Sequence, residues 1–134
     1  MAHNLKLSDV AANAGLDGLT ALLNGGSLTI CDGAQPANAN AAVTTQHVLS
    51  TVTFGSPAFA NAVGGVAAAH ALGADPAIAR AGTATWARAY KADGVTVVCD
   101  VSVGTAGCDI NLNSTALQQG APLAVTALTL TLPE

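Results

Sequence analysis

Charged side chains are scarce in this chain: four Lys or Arg and eight Asp or Glu stand among 134 residues. That is 9% of the sequence, against about 25% in an average soluble domain. A folded chain of 13.0 kDa is expected to expose roughly 6,300 Å², which leaves about one charge per 500 Å². The rest of that surface has to be Ala, Thr, Gly, Asn and Ser, which defend poorly against association. The composition therefore points to a subunit that lives inside an assembly. Aromatics are equally rare at 3%, one Trp, one Tyr and two Phe, too few for the exposed platforms that carbohydrate binding asks for. Trp86 and Phe54 are better placed in the core.

Positive charge is the rarest of all. Lys6, Arg80, Arg88 and Lys91 are scattered, the formal net charge is −4 and the pI is near 5.0, which argues against a nucleic-acid partner. No hydrophobic run approaches the roughly 18 residues of a membrane span, so no membrane partner is expected. Met1-Ala2-His3-Asn4-Leu5-Lys6 lacks a basic segment followed by an apolar one, so no signal peptide is expected and the product is read as folding in a cytoplasm. Cys31, Cys99 and Cys108 form no close pair and no metal-type spacing. They read as small buried hydrophobes in a reducing compartment. A Cys99–Cys108 disulfide stays open, because a short loop separates their strands.

What is present reads as one domain over residues 1–134, an amphipathic helix at about 8–24 and a β-sandwich at about 27–132. Ser8-Asp9 supplies a capping hydroxyl and an acid at the positive end of the helix dipole. Ala11, Ala14, Gly18, Leu19 and Leu22 then fall on one helical stripe with Leu23 beside them, leaving Asn4, Asn13, Asp17 and Thr20 off it. Asn24-Gly25-Gly26 ends the helix, since glycine accepts the left-handed cap.

Beyond Gly26 the period changes. Residues 27–31 read as a strand, closed by Asp32-Gly33 and followed by a loop through 35–41. Residues 47–54 alternate, with Val48, Val52 and Phe54 opposite Thr51 and Thr53. A weakly patterned stretch runs to Gly82, with strand expected only around 66–72. Residues 83–91 and 95–101 form a predicted hairpin around Asp93-Gly94. Trp86 and Tyr90 share a face of its first strand; Val95, Val97, Cys99 and Val101 share a face of its second. Period-2 alternation places Ile110, Leu112, Leu128 and Leu130 inside, with Asn111, Asn113 and Thr129 outside. Short strands between Gly- and Pro-rich breaks argue for an all-β sandwich or barrel.

Tests for chemistry come back negative. His3, expected in a mobile terminus, His47 and His70 sit in no metal-binding pattern, so neither a metal nor a cofactor is expected. No nucleophile elbow surrounds any Ser, and the cysteines carry no flanking signature, so no catalytic residue is assigned and the chain is read as not an enzyme. Asp93, Asp100 and Asp109 read as turn and surface carboxylates. Gly64-Gly65 and the 104–107 segment lead into no helix that would bind an anion.

Several segments together carry a resemblance. They are Asn4-Leu5-Lys6-Leu7-Ser8, Leu22-Leu23-Asn24-Gly25-Gly26, Leu28-Thr29-Ile30-Cys31-Asp32-Gly33 and Gln35-Pro36-Ala37-Asn38-Ala39 in the first part of the chain. Phe54-Gly55-Ser56-Pro57-Ala58-Phe59, Gly82-Thr83-Ala84-Thr85-Trp86-Ala87-Arg88, Val103-Gly104-Thr105-Ala106-Gly107-Cys108-Asp109-Ile110-Asn111-Leu112-Asn113 and a Thr-Leu alternation ending at Pro133 follow. The chain resembles, over nearly its whole length, the head cement (capsid decoration) proteins of tailed phages and prophages. The resemblance implies a jelly-roll-like antiparallel β-sandwich, mainly β, on the outer face of a capsid. It implies the major capsid protein and further copies of the chain itself, as homodimer or higher homo-oligomer, as partners. It also implies a place in the virion after synthesis in the bacterial host cytoplasm. It brings no catalytic residues. Cys31 and Cys108 depart from the family's pattern, standing where ordinary strand residues are expected.

The strand and helix patterns leave Leu5, Leu7, Pro57 and Phe59 uncommitted, large apolar residues beside small ones, and they are the expected interface. Two rival functions stay open. A tail or head-fibre component would show a coiled-coil or β-helical repeat, and neither period is present. A small β-sandwich ligand-binding module would show a deep pocket with convergent polar groups.

Overall fold

The structure, a computed structural model, describes residues 5–125 and 127–132. His3, Asn4 and Pro133, on which expectations were placed above, lie outside them. The protein is mainly β, with one N-terminal helix among the described residues and a curled, antiparallel-rich sheet. Helix α1 spans Asp9–Ala21. The strands are β1 (Ser27–Cys31), β2 (Val48–Thr53), β3 (Val66–Ala68), β4 (Gly82–Thr83), β5 (Trp86–Tyr90), β6 (Val97–Gly104), β7 (Ile110–Asn111), β8 (Ala116–Leu117) and β9 (Thr129–Thr131). Five of them form the main sheet in the order β2-β1-β5-β6-β7; β3 pairs with β9 and β4 with β8 in two short ladders. All pairs are antiparallel except β6–β7, a parallel ladder of two residues, Val103 with Ile110 and Gly104 with Asn111. The fully antiparallel expectation is corrected there.

Helix α1 starts where the sequence puts it. The Ser8 hydroxyl accepts from the Ala11 N–H at 3.2 Å, and Asp9 sits in the first turn. The buried stripe, however, is Ala12, Leu16, Thr20 and then Leu23, with Leu19 half-buried. Ala11, Ala14 and Gly18 are exposed and Leu22 is 47% exposed, so the expected stripe is wrong by about one residue. The physical reason is area. A face that buries Leu16 and Leu23 gains about 1.5–3 kcal/mol per leucine, more than one spent on Ala11, Ala14 and Gly18. The helix ends three residues early. Gly25 then takes φ +69°, and Gly26 runs so close to β5 that a Cβ there would overlap the Tyr90 carbonyl oxygen.

Register in the main sheet follows from β1. Leu28 and Ile30 face the hydrophobic core, with Val52 on β2, Ala87 and Ala89 on β5, and Val101 and Val103 on β6. Phe54, Phe59, Ile78, Ile110, Leu112, Leu128 and Leu130 complete that core. Two bulges shift the expected phases. In β2 the register slips between Ile30 and Cys31, so Leu49 is buried and Val48, expected inside, is 42% exposed. In β6 it slips between Ala89 and Tyr90. Val97 therefore pairs with Tyr90, away from Cys99 and Val101, and Val95 stands outside the strand at 77% exposure. The predicted hairpin forms, but Thr83 leaves it to pair in β4–β8. Its turn runs from Lys91 to Thr96, with Gly94 at φ +71° and the Asp93 carboxylate accepting from the Val95 and Thr96 N–H groups. The late alternation holds: Ile110, Leu112, Leu128 and Leu130 are buried, Asn113 and Thr129 exposed, Asn111 half-buried. Only 66–68 of the 66–72 stretch is strand, and only 129–131 of the last predicted one.

The reverse face of the main sheet is polar and carries cross-strand rows. One row is Thr51, Thr29, Arg88 and Asp100; the next is Val48, Cys31, Trp86 and Ser102. Trp86 is fully buried, as expected, yet it lies on this face rather than in the main core. Its indole N–H donates to the Asp32 carbonyl at 2.9 Å, and the neighbouring Thr85 hydroxyl donates to Gly33 at 2.5 Å. Arg88 lies 5.3 Å from the Trp86 ring centroid and is itself 3% exposed.

Candidate interaction surface

The four expected interface residues do not come together. Leu5 is 86% exposed and Leu7 half-buried at the entry of α1, and Pro57 is exposed. Phe59 is a correction. It is 6% exposed and packs on Phe54 with ring centroids 5.8 Å apart. With only two Phe in the chain, the core takes both, and Phe59 is no adhesive residue.

Its segment is held against one flank of the helix by three polar side chains. Asn24 accepts from the Ala58 N–H, Asp17 from the Ala62 N–H and Asn13 from the Gly65 N–H, each at 2.8 Å. Helical spacing makes this possible, since Asn13, Asp17 and Asn24 recur on one side of the rod just off the buried stripe. A cleft of about 190 Å³ lies between α1 and this segment, lined by Asp17, Thr20, Asn24, Pro57, Phe59 and Asn61 among others.

The same flank carries exposed apolar side chains that the sequence reading did not single out. Val10 precedes Asn13 by one turn and is 80% exposed. Val63 and Val66 bracket the Gly64-Gly65 turn that Asn13 holds, at 76% and 39% exposure. With Leu5 they give the N-terminal end of the helix an apolar rim. The segments lacked periodicity, so only tertiary placement on α1 reveals them.

A second feature is the loop 33–46, which carries no charged residue. Its ends are latched: the Asp32 carboxylate accepts from the His47 N–H at 2.6 Å and meets the His47 ring Nδ1 at 3.1 Å. The backbone bond first, and the imidazole with it, hold the Asp32 carboxyl below the usual carboxylate range. An acid on an imidazole is also two-thirds of a catalytic triad. Among the described residues, no hydroxyl or thiol hydrogen-bonds to His47, and no group of His, Cys, Asp or Glu is arranged to hold a metal. All three thiols are free; burial pushes Cys99 up to about 11 and raises Cys31. A larger groove, about 420 Å³, has Ile78, Leu112, Leu117 and Leu123 in its lining with Asn113, Ser114 and Gln118, and no ionisable group. No described helix is long and apolar enough to cross a membrane.

The fold and surface thus define a mainly β chain with surface features of association, and no assembled reaction centre among the described residues. Comparison with protein-family models, with curated proteins and with solved structures gave no match.

Proposed function

We propose that this chain is a non-enzymatic structural protein of a phage virion. In this reading it binds the outer surface of the capsid and reinforces contacts between major capsid proteins. The observation that carries the reading is the apolar rim of Leu5, Val10, Val63 and Val66 on a chain with so few charges. Apolar side chains exposed at 76–86% gain most by being covered, and clustered ones favour a partner surface over solvent. The accessible surface of 7,221 Å² exceeds the roughly 6,300 Å² expected for this mass, in keeping with a chain that finishes its burial in an assembly. Each contact can be modest, because a lattice of neighbours raises the effective concentration of the next. The jelly-roll-like sandwich is the finer fold reading; it draws support from the two short ladders that lie apart from the main sheet.

The test is occupancy. Purified protein is mixed with undecorated capsids of a tailed phage whose genome encodes it, and bound copies are counted by co-sedimentation. Binding is expected to change little between low and high salt, because apolar burial is not screened. Leu5→Asp and Val63→Asp are expected to lower occupancy with melting unchanged, since a charge is costly to desolvate at an interface. Full occupancy by the double variant, or no binding by the parent protein, overturns the reading.

A further inference from the structure

The two edges of the main sheet are treated differently. Along β2 the outer edge is closed: Thr53 accepts from Gly73 at 2.8 Å, Leu49 from Ala79 at 3.0 Å, and the Thr51 N–H is taken by the Asp75 carboxylate at 3.3 Å. Along β6 the outer edge is closed only at its end. There β7 pairs with Val103 and Gly104, and the Asp109 carboxylate takes the Ser102 N–H at 3.0 Å. Before Ser102, over 97–101, no described residue bonds to the backbone on the side away from β5. Strand alternation turns the N–H and C=O of Asp100 the same way as those of Ser102, so Asp100 presents both groups unpaired.

Such an edge is normally guarded by lysine, proline or an inward charge. Residues 95–101 contain no Lys, Arg or Pro. The bulge beside Tyr90 leaves Cys99, Asp100 and Val101 in regular register with Ala89, Arg88 and Ala87. Asp100, the one acid there, is neutralised by its own Arg88 through two hydrogen bonds of 2.7 and 2.9 Å.

We propose that two copies of this chain pair edge to edge through β6, antiparallel about a two-fold axis at Asp100, joining their main sheets into one. In this register each Asp100 N–H donates to the Asp100 carbonyl of the second copy. Cys99 comes to lie opposite Val101 of the second copy, on the side where both meet the core, so the apolar layer continues across the seam. The two carboxylates that the axis brings together do not repel, because each is already paired within its own chain. A foreign strand is the poorer occupant. Strand addition by a peptide takes its specificity from pockets beside the edge, and both cavities described above are lined by residues outside β6. The inference is independent of capsid binding.

Sedimentation with amide hydrogen exchange tests it. The protein is expected to form a species of twice 13.0 kDa that dissociates on dilution, with the Asp100 amide protected in that species and free in the monomer. Val98→Lys is expected to give the monomer, while Val95→Lys, in the exposed turn, leaves the dimer intact; melting curves check that both fold. A protein monomeric at all concentrations overturns the proposal, as does a dimer whose Asp100 amide exchanges freely. Asp100 protection that arises only when capsids are added to a monomeric protein also overturns it, and leaves the capsid reading standing. A dimer with Asp100 protected and no affinity for capsids sustains it and removes that reading instead.

Discussion

Arg88 and Asp100 stand directly opposite each other on β5 and β6, joined by a two-pronged ion pair whose side chains are each 4% exposed. Removing one partner strands a buried charge, which costs about 3–5 kcal/mol. Arg88→Met and Asp100→Asn are each expected to lose about that much in urea denaturation. The double variant Arg88→Met with Asp100→Leu is expected to recover most of it, because a well-packed apolar pair often replaces a buried ion pair without loss.

The adjacent glycines Gly25 and Gly26 separate two kinds of constraint. Gly25→Ala keeps its space but takes a left-handed backbone, and is expected to cost about 1–2 kcal/mol. Gly26→Ala meets the Tyr90 carbonyl of β5 and is expected to cost more than about 3 kcal/mol, since backbone must move. Thermal melts of the pair give the ordering; equal costs would mean that the helix and β5 separate easily.

The clamps on the segment after Pro57 act one by one. Asn24→Ala and Asp17→Ala each leave a part-buried backbone N–H without its acceptor, at about 1–3 kcal/mol. Limited proteolysis of either variant is expected to cut within 58–65 before the rest of the chain, and the parent protein is expected to resist there.

Acid is expected to weaken the fold through three carboxylates held below their usual range. The Ser50 hydroxyl is the main cause at Asp75, the His47 N–H at Asp32, and Thr96 at Asp93, which is lowered to about 2. A depressed carboxylate binds fewer protons folded than unfolded. Its contribution is complete above the unfolded value, near about 4, and is lost as pH falls through the folded one. Denaturant midpoints are thus expected to hold steady down to about pH 5 and to fall below about pH 4. Asp32→Asn, which cannot titrate, is expected to flatten part of that fall.

Local chemistry was legible from the sequence. The Ser8 cap, the Gly94 turn and the alternation around Ile110 and Leu130 depend on neighbours a few residues away, and the structure keeps them. What escaped depends on distant partners. The helix face was decided by which stripe the sheet could bury, and Leu16 outweighed the alanines. Leu49 and Val97 were displaced by bulges that no single strand announces. Arg88 read as one of four scattered cations because its acid lies on another strand. Phe59 was unpatterned in its own segment, and only Phe54 explains its burial. For the interaction surface, Leu5 was legible as an exposed apolar residue, whereas Val10, Val63 and Val66 become a group only once Asn13 ties their segments together.

The chain's one tryptophan is an optical gauge in place. Trp86 is wholly enclosed, and its indole N–H is bonded to the carbonyl of Asp32, the residue that latches the 33–46 loop to His47. Its emission should be that of a dry indole, and opening of the latch should move it to longer wavelength before the main core gives way. Loop and core sit on opposite faces of the sheet, so a single cuvette can follow the one separately from the other.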